Sequence, residues 1–392
     1  MKKIGIYIHI PFCVKKCDYC DFLSFQNTTA SLKDRYMKAL GGELDAYAAG
    51  SISAGGERID IREYEADTVF FGGGTPSLIA PELLCRMMDH IRKCFQLSPD
   101  AEISLEANPG TLSLENLIQY RQAGFNRVSL GIQSFDDRML HILGRIHTAA
   151  DADVAFGQAR EAGFSNINID LMFGIPGQTM ECWMDSLSHA LALNPEHISF
   201  YSLKFEEGTP FHDMLEKGIL REVDDSLDRS MYHKAVETMQ GSGPAGYTPP
   251  YIHYEISNAS RPGFACRHNM KYWSMGEYLG LGLGAHSYMN RERFSNLCDI
   301  EAYISAESGR IAWRYRNTTD DEVSEFIFTG LRKIDGISLK DYMERFGEPI
   351  QKRFALEISE LAARGLVEID SGSLRLTLQG IDISNTVLAR FV

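Results

Sequence analysis

Residues 4–20 read Ile4-Gly5-Ile6-Tyr7-Ile8-His9-Ile10-Pro11-Phe12-Cys13-Val14-Lys15-Lys16-Cys17-Asp18-Tyr19-Cys20. The apolar first half predicts a β-strand over 4–10, and a loop with three cysteines in a CxxxCxxC pattern follows it directly. Thiolates this close together in one short loop indicate a metal site. Three ligands instead of four favour an iron–sulfur cluster with one iron left open for chemistry.

Strand-like and helix-like segments alternate outward from this stretch as far as about residue 205. The strands are predicted at 4–10, 67–71, 102–107, 127–132, 166–173 and 197–203. The helices are predicted at 32–47, 82–94, 114–123, 151–162 and 181–193. Consecutive βα units of this kind predict a parallel sheet that is either doubly wound or curled into a barrel.

The residues that end these strands favour the barrel, because function gathers at the C-terminal ends of the strands in a parallel barrel. Each predicted strand is followed by polar residues or glycines. These are the cysteine loop, Gly72-Gly73-Gly74-Thr75-Pro76, Glu106-Ala107-Asn108-Pro109-Gly110, Gln133-Ser134, Asp170-Leu171-Met172-Phe173-Gly174-Ile175-Pro176-Gly177 and Tyr201-Ser202. We therefore predict an α/β fold, an open (partial) parallel β/α barrel of about six βα units, whose open side leaves room for a large substrate.

Three regions are predicted along the chain: the barrel core at 1–205, a less regular extension at 206–318 and a C-terminal module at 319–392. In the extension, loops are predicted at 240–250 and 258–263. In the module, helices at 322–331, 338–346 and 351–364 precede a hairpin over 365–377, which is typical of a winged-helix-like α+β module. Residues 320–392 contain nine Lys or Arg and thirteen Asp or Glu, a net charge of −4. A structural or docking role is therefore favoured over DNA binding.

The composition limits the class of protein. The chain has 392 residues and a net charge of −14, which argues against a nucleic-acid partner. No apolar run reaches the length that spans a bilayer, and the segment before the cysteine loop is too short for a signal peptide. We expect a cytoplasmic protein, with peripheral association with a membrane left open. The cysteines outside the triplet show no framework spacing and are expected to be reduced thiols.

A structural zinc loop is the alternative interpretation of the triplet, because thiolates bind zinc as well as iron–sulfur clusters. Zinc would need a fourth ligand at a recognisable spacing. The nearby His9 shares a strand face with Tyr7, and Pro11 separates it from Cys13. A packed cysteine cluster without metal conflicts with the charged residues inside the loop.

The triplet with an aromatic residue before its third cysteine resembles the radical S-adenosylmethionine (SAM) superfamily. The resemblance implies that Cys13, Cys17 and Cys20 hold a [4Fe–4S] cluster whose fourth iron is chelated by SAM. The GGGTP run at 72–76 resembles the glycine motif that holds SAM there, and its form is typical of the coproporphyrinogen-oxidase-like branch, with Thr75 where many relatives carry Glu. By the same resemblance, the SAM contacts would be Tyr7, Gly73, Gly74, Thr75, Glu106, Gln133, Arg145 and Asp170.

Two differences place the chain within this branch. Its oxygen-independent coproporphyrinogen III oxidases carry a further cysteine just after the third, and an N-terminal extension before the first strand. Here Asp21 and Phe22 follow Cys20, and the chain begins at the first strand. Both differences favour the sister family, the HemW-type heme chaperones.

The stretch Cys266-Arg267-His268-Asn269-Met270-Lys271-Tyr272-Trp273 resembles the HNxxYW motif of that sister family, where the motif is associated with heme. The resemblance implies His268 and Cys266 as candidate heme ligands, with Tyr272 and Trp273 packing on the macrocycle. His286 is a second-choice ligand. The alternative is a structural turn in which His268 and Asn269 bond to backbone.

The favoured function is a heme chaperone that binds a [4Fe–4S] cluster, SAM and heme, and delivers heme to a membrane-bound respiratory acceptor. The alternative is a radical SAM oxidase of porphyrin biosynthesis that decarboxylates the propionates of coproporphyrinogen III. A zinc-stabilised scaffold without SAM is a third hypothesis. The sequence leaves open whether SAM is productively cleaved and whether the chain forms a homodimer.

Overall fold

The structure, a computed structural model, describes residues 1–54, 57–242, 250–307 and 309–392. Its centre is the predicted set of parallel strands, each paired with the next along the chain. They are β1 (Lys2–Ile10), β2 (Tyr64–Gly73), β3 (Gln96–Ala107), β4 (Arg127–Gln133), β5 (Ile167–Phe173) and β6 (His197–Ser202). The predicted open β/α barrel is confirmed.

Helices follow these strands along the chain, and most of them pack with the strands in one hydrophobic core. They are α1 (Ala30–Ala48), α2 (Pro81–Cys94), α3 (Leu114–Gln122), α4 (Asp137–Ile142), α5 (Ala149–Glu161) and α6 (Met180–Leu193). A short hairpin of Ser53–Ala54 and Glu57–Arg58 lies between α1 and β2. In β1, Ile4, Ile6 and Ile8 are fully buried, as the period-two alternation of a strand requires for one face.

The extension adds strands to both edges of this sheet. Its elements are α7 (Pro210–Glu216), α8 (Asp225–Glu237), β7 (Ile252–Glu255), β8 (Asn258–Ser260), α9 (Arg267–Trp273), β9 (Tyr278–Leu281), β10 (His286–Met289), β11 (Glu292–Asn296), α10 (Ile300–Ser305) and β12 (Ile311–Arg316). Within the described residues, the strand order is β12-β11-β10-β9-β1-β2-β3-β4-β5-β6-β8-β7. β9 pairs with β1 in parallel, and the strands beyond it are antiparallel.

The two predicted loops of the extension have different outcomes. Most of the loop at 240–250 lies outside the described residues. The loop predicted at 258–263 is wrong for its first part, because Asn258–Ser260 forms β8. This short strand pairs with β6 on one side and β7 on the other, and a window of local sequence does not contain those partners.

The C-terminal region forms the predicted α+β module. Its elements are α11 (Thr319–Gly330), β13 (Ile337–Ser338), α12 (Leu339–Phe346), α13 (Ile350–Ala363), β14 (Val367–Ile369), β15 (Ser373–Leu376), α14 (Leu378–Asp382) and α15 (Ser384–Leu388). The hairpin of β14 and β15 is confirmed, and β13 adds a strand on the other side of β15. The region boundaries at 205 and 318 stay predictions. In the described chain, no helix combines the length and apolarity needed to cross a membrane.

Candidate functional site

The C-terminal ends of the barrel strands surround a cavity of about 480 Å³. The cysteine loop closes one side of it, and each strand end contributes one or more polar or glycine residues. Of the predicted residues, those lining this cavity are Cys13, Cys17, Cys20, Gly73, Gly74, Glu106, Gln133, Arg145 and Asp170. The structure thus brings the cluster cysteines and most of the predicted SAM contacts together in one place.

Backbone hydrogen bonds fix the cysteine loop on the end of β1. The amide of Cys13 donates to the carbonyl of Phe25 at 2.9 Å, and the amide of Cys20 donates to the carbonyl of Cys17 at 3.2 Å. The thiols are partly exposed toward the cavity. Burial, and then the neighbouring Cys17 and Cys13, raise the pKa of Cys20 to about 11. Three thiols in one short loop are a donor set that the positive charge of an iron–sulfur core would stabilise as thiolates.

The three sulfurs of the triplet are not gathered closely enough to hold a single zinc ion in this structure. Zinc holds each sulfur at about 2.3 Å, which places tetrahedral sulfur ligands about 4 Å apart. Among the described residues, the sets of three ligand atoms within 4.8 Å of one another are Asp45–His90–Cys94 and His212–Asp213–Glu216, and the triplet is not one of them.

A chain of polar contacts connects two of the cysteines. Arg145 lies 3.6 Å from the sulfur of Cys17 through Nη1, and its Nη2 donates to Oδ1 of Asn108 at 2.6 Å. Asn108 Nδ2 then donates to the hydroxyl of Thr75 at 2.8 Å, and that hydroxyl lies 3.7 Å from the sulfur of Cys13. Thr75 therefore lies beside the cluster loop, and Arg145 is held in place by an uncharged amide. Because this amide does not neutralise the guanidinium, the positive charge of Arg145 is available to a carboxylate of a ligand.

The glycines after β2 allow close approach to the backbone. Gly73 has a φ of 113°, and a Cβ there would lie 2.5 Å from the ring of His9. A Cβ on Gly74 would lie 2.7 Å from the carbonyl oxygen of Phe12. Both positions exclude side chains, so a ligand in the cavity can reach main-chain N–H and C=O groups.

Two buried carboxyl groups, on β3 and β5, line the same cavity. Burial, and then the charge of Asp170, raise the pKa of Glu106 to about 7. Burial also raises the pKa of Asp170, which accepts from Asn168 Nδ2 at 2.6 Å. Glu106 accepts from the amide of Gly73 at 3.1 Å. Such acceptors suit the hydroxyl groups of a ribose.

Gln133 and Tyr7 occupy the remaining predicted SAM positions. Gln133 has a φ of 70°, and its side-chain oxygen accepts from the hydroxyl of Tyr201 at 2.8 Å. Tyr7 lies below the main cavity, in a smaller one of about 210 Å³ that Glu106 and Asp170 also line. Its hydroxyl is 3.1 Å from Nδ1 of His9.

The predicted heme motif forms α9, which lies inside the barrel. His268 is 1% exposed, with Nδ1 at 2.8 Å from the hydroxyl of Thr68 and Nε2 at 2.8 Å from the hydroxyl of Tyr272. Burial, and then the nearby Lys271 and Arg127, lower the pKa of His268 to about 3. Both ring nitrogens are engaged, so heme ligation by His268 requires α9 to leave this position.

The other heme candidates are also separated from the main cavity. Cys266 is fully buried, and its sulfur lies 3.6 Å from Oε1 of Glu102. Trp273 lies under the guanidinium of Arg332, 4.4 Å from the ring centroid. His286 is exposed at the start of β10.

Sequence reasoning missed several polar residues of the site, namely Asn108, Ser129, Asn168 and Tyr201, together with Arg127. Asn108 lies in the segment 106–110 at the end of a predicted strand, so the sequence could have identified it as a residue of the site. Arg127 is 2% exposed at the start of β4, and a strand-flanking arginine gives no sequence signal of burial.

Two family models match the chain: the radical SAM superfamily over residues 7–190 and the HemN C-terminal domain over residues 317–383. The heme chaperone HemW of Bacillus subtilis (strain 168) is 38% identical, and the match covers 98% of each chain. The chain belongs to the HemW family of heme chaperones. The HemW of Lactococcus lactis subsp. lactis (strain IL1403) is 32% identical and covers 100% of this chain and 98% of its own. The predicted HemW-type family is thus confirmed.

Among solved structures, coproporphyrinogen III oxidase (HemN) from Escherichia coli, described as a radical SAM enzyme, has a TM-score of 0.82 with this HemW-family chain. The match covers 100% of this chain and 90% of that one, at 22% identity, so it shows a shared fold. Membership of the radical SAM superfamily implies a [4Fe–4S] cluster and SAM.

Proposed function

We propose that this member of the HemW family is a heme chaperone that binds a [4Fe–4S] cluster, SAM and heme, and passes heme to a membrane-bound respiratory acceptor. The observation that carries the proposal is the convergence of three thiols, an available guanidinium and two buried carboxyl groups on one cavity. Heme enters the proposal through the family to which the chain belongs, and we place the protein in the cytoplasm. The acceptor and a homodimer are parts of the proposal that need their own tests.

Each part of the cavity has a role in the proposal. Cys13, Cys17 and Cys20 hold three irons and leave the fourth for SAM. Arg145 pairs with the carboxylate of SAM, because its other contacts are neutral groups and the Cys17 sulfur. The backbone at Gly73 and Gly74 receives the methionine end, and Thr75 lies beside them. A reduced cluster would supply one electron to the bound SAM, and that electron would come from a reductant outside the protein.

The ribose end of SAM is assigned to the carboxyl groups on β3 and β5. Glu106 and Asp170 accept from its hydroxyl groups, which are most strongly bound when both carboxyl groups are ionised. Gln133 at the end of β4 and Tyr7 on β1 are assigned the remaining contacts. Because the pKa of Glu106 is about 7, we expect SAM affinity to rise with pH between 6 and 8.

The test uses the full chain reconstituted with iron and sulfide under anaerobic conditions. Wild type is expected to contain about four irons with labile sulfide, to bind heme, and to leave coproporphyrinogen III unconverted when SAM and reductant are present. Cys17→Ser loses the cluster, and Cys85→Ser, outside the cavity, is the matched control. Zinc without sulfide in the purified protein would overturn the cluster assignment. Formation of protoporphyrinogen would overturn the chaperone proposal in favour of the oxidase.

A further inference from the structure

A thiol, an imidazole and a carboxylate meet where α2 packs against α1. Cys94 and His90 belong to α2, and Asp45 belongs to α1. One ligand atom from each residue, a sulfur, a ring nitrogen and a carboxylate oxygen, lies within 4.8 Å of the other two. None of these three residues lines the cavity beside the cysteine loop. They form a second group of metal-ligand atoms, separate from the candidate site.

Helix geometry fixes the positions of these side chains. His90 and Cys94 are four residues apart, and side chains at that spacing lie on one face of a helix. Nε2 of His90 is 2.7 Å from Oδ1 of Asp45. Gly41 lies one turn before Asp45 in α1, and a Cβ there would lie 3.6 Å from Nδ1 of His90. The imidazole of His90 therefore lies against α1 at a position that has no side chain.

The distances suit a single zinc ion. Zinc binds sulfur at about 2.3 Å, and imidazole nitrogen and carboxylate oxygen at about 2.0 to 2.2 Å. Tetrahedral coordination thus places these ligand atoms about 3.3 to 3.6 Å from one another. The three atoms already lie within 4.8 Å, and the side chain of Asp45 is 67% exposed. A rotation of that exposed carboxylate brings the set to zinc geometry without moving the core.

The donor types also favour zinc. Zinc accepts thiolate, imidazole and carboxylate ligands together, whereas calcium and magnesium require oxygen ligands. The set carries two negative charges when Cys94 is a thiolate and Asp45 a carboxylate, and these charges balance those of a divalent cation. Three protein ligands leave the fourth position to a water molecule.

The thiol distinguishes this group from an ordinary ion pair between helices. His189 of α6 is 2.7 Å from Asp153 of α5, the same distance as in the pair of His90 and Asp45. Over the described residues, the pair of His189 and Asp153 belongs to no set of three ligands. The other set of three lies within the single short helix α7 and contains no sulfur. Cys94 is therefore the residue that turns a His–Asp contact into a zinc site.

We propose that Asp45, His90 and Cys94 bind one zinc ion that joins α1 to α2. Zinc replaces the proton of the Cys94 thiol, and this proton passes to solvent. α1 follows β1 and its cysteine loop, and α2 follows β2 and its glycine run, so the ion ties together the two βα units that carry both motifs. The proposal does not depend on the heme-chaperone function.

The test is a zinc titration of the full chain after reconstitution with iron and sulfide, so that the cysteine triplet is occupied. Affinity is measured by competition with a chelating dye. We expect His90→Ala and Cys94→Ser each to weaken zinc binding about tenfold or more, and the exposed Asp45→Asn to weaken it several-fold. The matched controls should bind as wild type does. They are His189→Ala, from the other His–Asp pair, and Cys85→Ser, from the same helix as Cys94.

X-ray absorption at the zinc edge identifies the ligands. We expect one sulfur at about 2.3 Å, with nitrogen and oxygen at about 2.0 to 2.2 Å. Three sulfurs would place the zinc on the triplet and overturn the proposed site. Equal zinc affinity in wild type, His90→Ala and Cys94→Ser would also overturn it, as would a wild type that takes up no zinc. Iron and sulfide content should match wild type in every variant, so the cluster assignment is tested separately.

Discussion

Glu106→Gln should make the protein without SAM more stable at alkaline pH, because the buried Glu106 carboxyl is costly to ionise. Its pKa is about 7, against an ordinary value of 4.5. A difference of about 2.5 in pKa corresponds to about 3 kcal/mol. The folded state therefore holds a proton that the unfolded state releases between these two values.

The direction in which the free energy of unfolding changes with pH follows from how many protons each state binds. Below pH 4.5 the carboxyl is protonated in both states and stability is unaffected, whereas between pH 4.5 and 7 the folded state binds more protons and stability falls as pH rises. Above pH 7 the full penalty of about 3 kcal/mol remains, and Gln, which is always neutral, escapes it. For cooperative unfolding of a chain this size, that gain corresponds to about 4 °C in Tm.

The assay is thermal unfolding of wild type and Glu106→Gln from pH 5 to 8.5, without SAM. The difference should grow from about a quarter of its full value at pH 5 to its full value by about pH 8. Glu161→Gln, an exposed carboxylate at the end of α5, is the control. A difference that is flat with pH, or a wild type more stable than the variant at pH 8, would refute the reasoning.

Asn108→Ala should weaken SAM binding about tenfold, because Arg145 and Thr75 both lose the amide that positions them. Equilibrium dialysis checks this, with the exposed Asn385→Ala as control, and unchanged affinity would contradict it. Gly282→Ala should destabilise the fold by more than about 2 kcal/mol, since its φ is 103° and a Cβ would lie 2.6 Å from the hydroxyl of Tyr36 and 2.8 Å from the carbonyl oxygen of His9. Both glycine variants are compared by denaturant titration. Gly309→Ala, with a φ of 75° and open space around it, should lose only about 1 kcal/mol of unfolding free energy. Equal losses of unfolding free energy in the two variants would contradict the packing argument.

The barrel and its mouth were predictable because their signals are local. The alternation of β1 and the cysteine spacing lie within 17 residues of sequence, and the glycines after β2 mark a strand end by themselves. Parallel topology then brings those strand ends together, so the sequence also predicted most of the residues that share the cavity, with Tyr7 and Thr75 outside it. These contacts could be predicted without knowing which distant segments pack together.

The extension was less predictable because its elements depend on distant partners. β9 has four residues and takes its place in the sheet from β1, some 270 positions earlier. α9 contains His268 and Lys271, a composition typical of a surface turn, yet it is stabilised inside the barrel by Glu102 and Thr68. The heme motif was therefore interpreted from its resemblance to a family motif, while its location was set by tertiary contacts.

The pairing of β1 with β9 has a consequence for how the protein is made. About 270 residues separate Ile10 from Leu281, so synthesis at 5–20 residues per second leaves roughly 15 to 55 s between their emergence from the ribosome. Throughout that interval β1 has a bare outer edge and the barrel lacks α9, while the cysteine triplet is already outside. The nascent chain thus has an early period in which its thiols are accessible and its sheet edge is prone to mispairing.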